Sequence, residues 1–185
     1  MSEIEIIKGH DSSSYFWIMP VKYKKNSKKT NFDDYWNDWQ EIRKYEISIE
    51  ESDVSQYLSY FLFKHFDINF QPNANRYGTC NPNIFEWYLE YNFYTYEHIQ
   101  NMINDIKTLI NILESKHKDL VNIVNKQFPP QTWFGYSEIN LGHNLVKTKI
   151  NTIKEIKNFY NKFCIEMENI IQTCKTTNII SFMGP

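Results

Sequence analysis

Polar and apolar residues alternate most regularly over residues 84–94. One side of an extended chain in this segment carries only large apolar residues, namely Phe85, Trp87, Leu89, Tyr91 and Phe93. The other side is mostly polar. A period of two predicts a half-buried strand of an antiparallel sheet. We expect this strand to be central, or at least paired, with its Phe85–Phe93 face toward the helices.

Shorter β-prone segments supply the other predicted strands. They occupy residues 4–7, 15–23, 45–50 and 178–183. Residues 45–50 alternate apolar with polar side chains, so we expect one side of that strand to face water.

The hydrophobic period changes from 2 to 3.6 after Thr95, which has the character of a helix N-cap. The apolar stripe predicts one helix from about 96 to 127, bent near Ser115, and Pro129-Pro130 ends it. A second stripe predicts a helix from about 144 to 175. Each helix would be about 48 Å long at 1.5 Å per residue. The loop between them favours an antiparallel hairpin.

A third, shorter helix is predicted to begin at Ser52 or Asp53 and to run for about 13 residues. The predicted fold class is therefore α+β: a long antiparallel helix pair plus a shorter helix, packed on a small antiparallel sheet. At 185 residues, a single domain over 1–185 is the expectation.

Composition narrows the functional classes. The 31 aromatic residues make up 17% of the chain and argue against disorder, and the net charge of −2 gives no overall attraction to nucleic acid or anionic lipid. Two Arg against 18 Lys, with Ala74 as the one alanine, indicate an AT-rich, bacterial-type source. Three cysteines without a disulfide pattern favour the cytoplasm. No apolar run is long enough to span a membrane.

Candidate enzyme chemistry is sparse. No phosphate-binding glycine motif and no common metal-binding motif occurs, so the sequence predicts no metal, no cofactor and no assigned catalytic residue. A diffuse enzyme site remains an alternative, with Cys80 as a loop thiol near His10 in a hypothetical arrangement. Glu86 and Glu90 offer a second version, since they share one strand face about 6.6 Å apart.

Nucleic-acid binding is a further alternative. Five lysines within Lys22–Lys29 follow the aromatic residues of the 15–23 segment, and basic residues beside aromatics can bind phosphates and stack bases. The cluster is short and contains no Arg, and an acidic run over residues 33–53 follows it. We therefore expect a solvated loop there and regard a nucleic-acid partner as the weaker interpretation.

Protein binding is the favoured interpretation. Trp133, Phe134 and Tyr136 lie in the loop between the two long helices, and aromatics are frequent anchors of interfaces. The alternative is that they close the end of the hairpin against the sheet. Trp36 and Trp39 form a second candidate, because they lie in the acidic segment, which would suit a basic partner.

The sequence thus predicts a non-enzymatic intracellular protein-binding module, with an immunity- or inhibitor-type role as one concrete version. The partner is expected to be a protein of unspecified identity. A homodimer is a further expectation, since long apolar helices can bury a face against a second copy.

Overall fold

The computed structural model describes residues 4, 6–8, 15–21, 43–67, 91–115, 118–132, 138–147, 152–175 and 177–183. Within these ranges the chain is a mixed α and β structure, as predicted. Five strands form one antiparallel sheet, and helices pack against it.

The sheet has the strand order β1-β3-β2-β5-β4. Its strands are β1 (Ile6–Lys8), β2 (Tyr15–Val21), β3 (Ile47–Glu50), β4 (Tyr91–Thr95) and β5 (Ile179–Met183). All four neighbouring pairs are antiparallel. Each described strand overlaps a segment that the sequence predicted to be extended.

The helices of the described residues include the predicted short one, which spans residues 51–64 in three consecutive segments, and four shorter helices in place of the two long ones. They are α1 (Glu51–Asp53), a π-helix (Val54–Leu58), α2 (Ser59–Lys64), α3 (Tyr96–Glu114), α4 (Leu120–Gln127), α5 (Leu141–Lys147) and α6 (Ile153–Thr173). None of the helices in these ranges is long and apolar enough to cross a membrane.

Both faces of the sheet are buried. Ile47 and Ile49 of β3 belong to the core beneath the helices. On the opposite face, Glu46 and Ser48 are each only 1% exposed. The prediction that one side of this strand faces water is therefore wrong, because the side chains on its second face are buried as well.

The helix-facing side of β4 also differs from the prediction. The hydroxyl of Tyr94 donates a hydrogen bond to the carbonyl oxygen of Leu62 in α2, at 2.9 Å, and its ring packs against Phe182. Since side chains alternate along a strand, Phe93 points to the opposite face. Tyr94 is completely buried, so an apparently polar position supplies the core contact. Within the described sheet, β4 is an edge strand paired with β5, not a central one.

Helices α3 and α6 form the predicted antiparallel pair. Lys107 Nζ lies 2.6 Å from Glu168 Oε1, and Lys157 Nζ lies 2.9 Å from Glu114 Oε1. The residue number increases from Lys107 to Glu114 along α3 while that of the partner decreases from Glu168 to Lys157 along α6, so the two helices run in opposite directions. With 19 and 21 residues, the helices are about 28 and 32 Å long, well short of 48 Å.

Two breaks shorten the predicted helices. Ser115 has φ −76° and ψ 119°, an extended conformation, and its hydroxyl donates to the carbonyl oxygen of Ile112 at 2.7 Å. Thr152 is also extended and begins α6, where its hydroxyl accepts a hydrogen bond from the backbone N–H of Glu155 and the Glu155 carboxylate accepts one from the N–H of Thr152. This reciprocal capping box starts a new helix where the apolar stripe alone predicted a continuous one.

Aromatic rings fill the core between the π-helix, α2, α4 and α6. Phe61 packs nearly perpendicular to Phe128, with ring centroids 5.8 Å apart, and to Tyr160, at 6.1 Å. Edge-to-face pairs of this kind are favoured by the charge distribution of the rings. The fully buried Tyr160 hydroxyl donates to the carbonyl oxygen of Tyr57 in the π-helix, at 2.7 Å. Many of the aromatic side chains of the described residues therefore form the core of the protein.

Candidate protein-binding surface

An isolated β-bridge closes the loop between α4 and α5. The backbone N–H of Gln131 donates to the carbonyl oxygen of Ile139 at 3.1 Å, and the backbone N–H of Ile139 donates to the carbonyl oxygen of Gln131 at 2.8 Å. We call residues 131–139 the bridged loop. The two hydrogen bonds hold the ends of this loop, Gln131 and Ile139, against each other.

The first end of the bridged loop is held at the C-terminus of α4. Phe128 is completely buried, and its ring packs edge-on against Tyr60 with centroids 6.0 Å apart. Pro129 and Pro130 follow, and proline cannot continue a helix. The chain therefore leaves α4 immediately after a buried anchor.

Tyr60 connects this end of the loop to α2. Its hydroxyl donates to the carbonyl oxygen of Pro129 at 3.0 Å, and Gln131 Nε2 lies 3.4 Å from the same hydroxyl, which can accept its hydrogen. Burial raises the pKa of Tyr60; the Gln131 bond opposes this shift, and the negative charge of Asp105 adds to it. The phenol is thus a neutral donor and acceptor at the base of the bridged loop.

The second end is held by the start of α5. Asn140 accepts a hydrogen bond from the N–H of His143 through its side-chain oxygen, at 3.0 Å. Its backbone oxygen accepts from the N–H of Asn144 at 2.9 Å. This is the usual N-cap arrangement, which fixes where the helix begins.

Gly142 lets α4 and α5 approach closely. Its N–H donates to Asn125 Oδ1 at 3.2 Å. A Cβ atom at this position would lie 2.5 Å from Asn125 Oδ1 and 2.9 Å from the Val121 carbonyl oxygen. The two helices that carry the bridged loop are therefore in direct backbone contact.

The described residues at both ends of the aromatic run lie at the surface. Pro129, Pro130 and Thr132 before it are exposed, and Glu138 after it is exposed. The predicted binding residues between them, Trp133, Phe134 and Tyr136, lie outside the described residues. The structure thus places the exit and return of this segment at the surface, on a fixed base.

The second predicted binding region is only partly described. Trp36 and Trp39 lie outside the described residues. Of the acidic segment around them, Glu46 is buried in the sheet, whereas Glu50, Glu51 and Asp53 are half-buried. Glu46 therefore does not contribute to an acidic surface.

The residues proposed for an enzyme site, His10, Cys80, Glu86 and Glu90, also lie outside the described part of the chain. The two described cysteines, Cys164 and Cys174, are buried in the core. Burial raises the pKa of the Cys164 thiol to about 12. It is therefore protonated at neutral pH and a poor nucleophile.

His65 belongs to a small charged cluster next to Tyr60. A single oxygen, Asp105 Oδ2, lies 2.8 Å from His65 Nε2 and 2.7 Å from Lys64 Nζ. Burial lowers the pKa of His65, and the contact with Asp105 partly opposes that shift. His65 is therefore a hydrogen-bonded histidine at the boundary of the core. His98 instead caps α3, because its ring accepts from the Thr95 N–H at 3.4 Å.

In the ranges given above, no group of three or more His, Cys, Asp or Glu side chains is arranged to hold a metal ion. The Lys22–Lys29 cluster proposed for nucleic acid lies outside those ranges. The nucleophilic and acidic residues of the proposed enzyme site and the lysines of the proposed nucleic-acid site are thus all outside the described residues.

Comparison with protein-family models, curated proteins and solved structures yields no match to this chain.

The contacts that support the ends of the bridged loop were not predicted from the sequence. Gln131 and Ile139 carry no local signal for a bridge, and Tyr60 is 71 residues away from Gln131 in sequence. The one available signal was Asn140, which has the N-cap residue type before a short helix.

Proposed function

We propose that the protein is a non-enzymatic protein-binding module that contacts its partner through the bridged loop. The observation that supports this most is the β-bridge between Gln131 and Ile139, from which exposed chain leads into and out of the Trp133–Tyr136 segment. Binding residues commonly lie on loops that a rigid scaffold positions. Aromatic side chains at such a place can supply much of the binding energy.

An immunity- or inhibitor-type role in a bacterial cytoplasm is the concrete form of this proposal. Such a protein binds one partner tightly and needs a preformed surface, because ordering a loop on binding reduces affinity. The buried Phe128 and the hydrogen bonds of Tyr60 and Asn140 support this role, since they fix the described residues on both sides of the loop. The half-buried Glu50 and Asp53 support a basic partner only weakly.

The test is affinity capture followed by measurement with the purified partner. A triple variant, Trp133→Ala with Phe134→Ala and Tyr136→Ala, should weaken the dissociation constant by more than tenfold, the scale expected when interface anchors are removed. A control variant, Val146→Ala with Ile165→Ala, removes exposed apolar side chains from helices instead and should leave binding unchanged. Equal affinity of the wild type and the triple variant would contradict the proposal.

A second copy of the chain is the alternative partner. Light scattering over a range of concentrations detects it as a mass that rises with concentration. If the triple variant abolishes that rise, the bridged loop is the dimer contact. The enzyme and nucleic-acid alternatives stay predictions, because Cys80, Glu86, Glu90 and Lys22–Lys29 lie outside the described residues.

A further inference from the structure

A cleft lies where the C-terminus of α3, the N-terminus of α4 and the N-terminus of α6 meet. Its volume is about 330 Å³, and apolar side chains of Leu113, Leu120 and Ile153 line it. Small-molecule sites typically occupy about 300 to 1,000 Å³ and are mostly apolar with a few polar groups. Ile153 is 44% exposed although it is large and apolar, so a ligand could bury surface there.

The lining of the cleft carries more positive than negative charge. Lys154, Lys157 and Glu114 also line it. Glu114 Oε1 is paired with Lys157 Nζ at 2.9 Å. Lys154 has no ion-pair partner among the described residues. One positive charge therefore remains at the edge of an apolar surface.

We propose that this cleft binds a small amphipathic carboxylate, with its aliphatic chain against Leu113, Leu120 and Ile153 and its carboxylate beside the Lys154 ammonium. The apolar lining supplies affinity in proportion to the area removed from water. The ammonium selects the sign of the head group, since a cation there would meet a like charge. This site is separate from the bridged loop and does not rest on the role proposed for it.

The probe is octanoate, titrated into the full-length protein and followed by backbone amide NMR shifts and by calorimetry. Saturable shifts should be centred on residues 153–157 and on the end of α3. Burial of one methylene contributes about 0.8 kcal/mol at most, so hexanoate should bind about two- to fourfold more weakly for each methylene that it lacks. Octylammonium should not bind the cleft.

Two variants make the test specific. Lys154→Gln should weaken octanoate binding, whereas Lys175→Gln, the same change near the other end of α6, should not. Ser115→Phe places a ring at a residue that lines the cleft and has an extended backbone; it should abolish binding and lower the thermal midpoint only by the few degrees expected from losing the Ser115 hydroxyl bond to the Ile112 carbonyl oxygen. Octanoate shifts that are unchanged in Lys154→Gln and Ser115→Phe, equal binding of octylammonium, or no saturable binding would overturn the proposal.

Discussion

The hydroxyl of Tyr60 donates a hydrogen bond to the carbonyl oxygen of Pro129 over 3.0 Å, although 69 positions separate the two residues. This contact joins α2 to the segment that enters the bridged loop. The base of the loop is therefore fixed by tertiary structure as well as by its own β-bridge.

Replacing Tyr60 with Phe should loosen the bridged loop without unfolding the protein. A typical internal hydrogen bond contributes about 1 kcal/mol, and the exposed Pro129 can exchange its lost bond for one to water. Hydrogen–deuterium exchange of the Ile139 amide, which donates across the bridge, should become faster. Tyr96→Phe removes a comparable phenol bond, to the Cys174 carbonyl oxygen, and should leave that amide unchanged. Unchanged exchange in Tyr60→Phe would mean that the bridge needs no such anchor.

Gly142→Ala tests the close contact of α4 and α5. In an exposed helix this change normally stabilises by about 1 kcal/mol. Here the new Cβ would meet Asn125 Oδ1 and the Val121 carbonyl oxygen, so we expect a destabilisation of about 1 to 3 kcal/mol. Chemical unfolding measures the sign directly. His143→Ala on the same helix, at an exposed position, is the control and should change stability little.

His65 should make stability fall as the pH falls. Burial lowers its pKa in the folded protein below the ordinary value of 6.5, so the unfolded chain takes up a proton first. The stability that neutral His65 contributes is therefore fully present above about pH 7 and is lost as the pH falls below 6.5. His65→Gln should make the unfolding free energy depend less on pH between 7.5 and 5.5, because the variant lacks this proton uptake by the unfolded chain. The exposed His143→Gln should keep the wild-type slope, and an identical slope in both variants would contradict this assignment.

Asp53 should make the stability of the protein fall as the pH rises. Burial, with a smaller effect of Glu50, raises its pKa from 3.8 to about 6. Ionisation is therefore less favourable in the folded state, and stability is lost as the pH rises from about 4 through 6. Asp53→Asn should stabilise the protein by about 1 kcal/mol at pH 8, after allowance for solvent screening, and by little at pH 4. Thermal unfolding at both pH values checks this, with the exposed Glu138→Gln as the control.

The order of strands and helices along the chain could be predicted because local sequence signals indicate where each of them lies. The change of period at Thr95 corresponds to the junction of β4 and α3, where Thr95 accepts a hydrogen bond from the His98 N–H at 3.1 Å. The apolar stripes continue in register past Ser115 and through 148–151, so periodicity could not reveal where the helices end. The Thr152 and Glu155 pair carried a capping-box signal that outweighs the stripe.

Contacts between distant segments were not predictable from one sequence. Tyr94 and Phe93 are both large enough to fill a core, and only contacts with distant segments, such as the hydrogen bond from the Tyr94 hydroxyl to the Leu62 carbonyl oxygen, show which one faces the helices. Glu46 was predicted to be solvated because the alternation of residue types cannot show that both faces of a strand are buried. The support of the bridged loop likewise depends on Tyr60, which lies in another helix.

The central claim is that the bridged loop presents Trp133 to a partner, and its accessibility is directly measurable. Fluorine NMR of protein labelled with 5-fluorotryptophan resolves the five tryptophans, and Trp133→Phe identifies the Trp133 signal. A soluble paramagnetic agent should broaden the Trp133 signal in the free protein much more than that of Trp17, a half-buried residue whose indole nitrogen is inaccessible to solvent. Equal protection of Trp133 and Trp17 would show that the ring fills the hairpin end and would contradict the proposed binding surface.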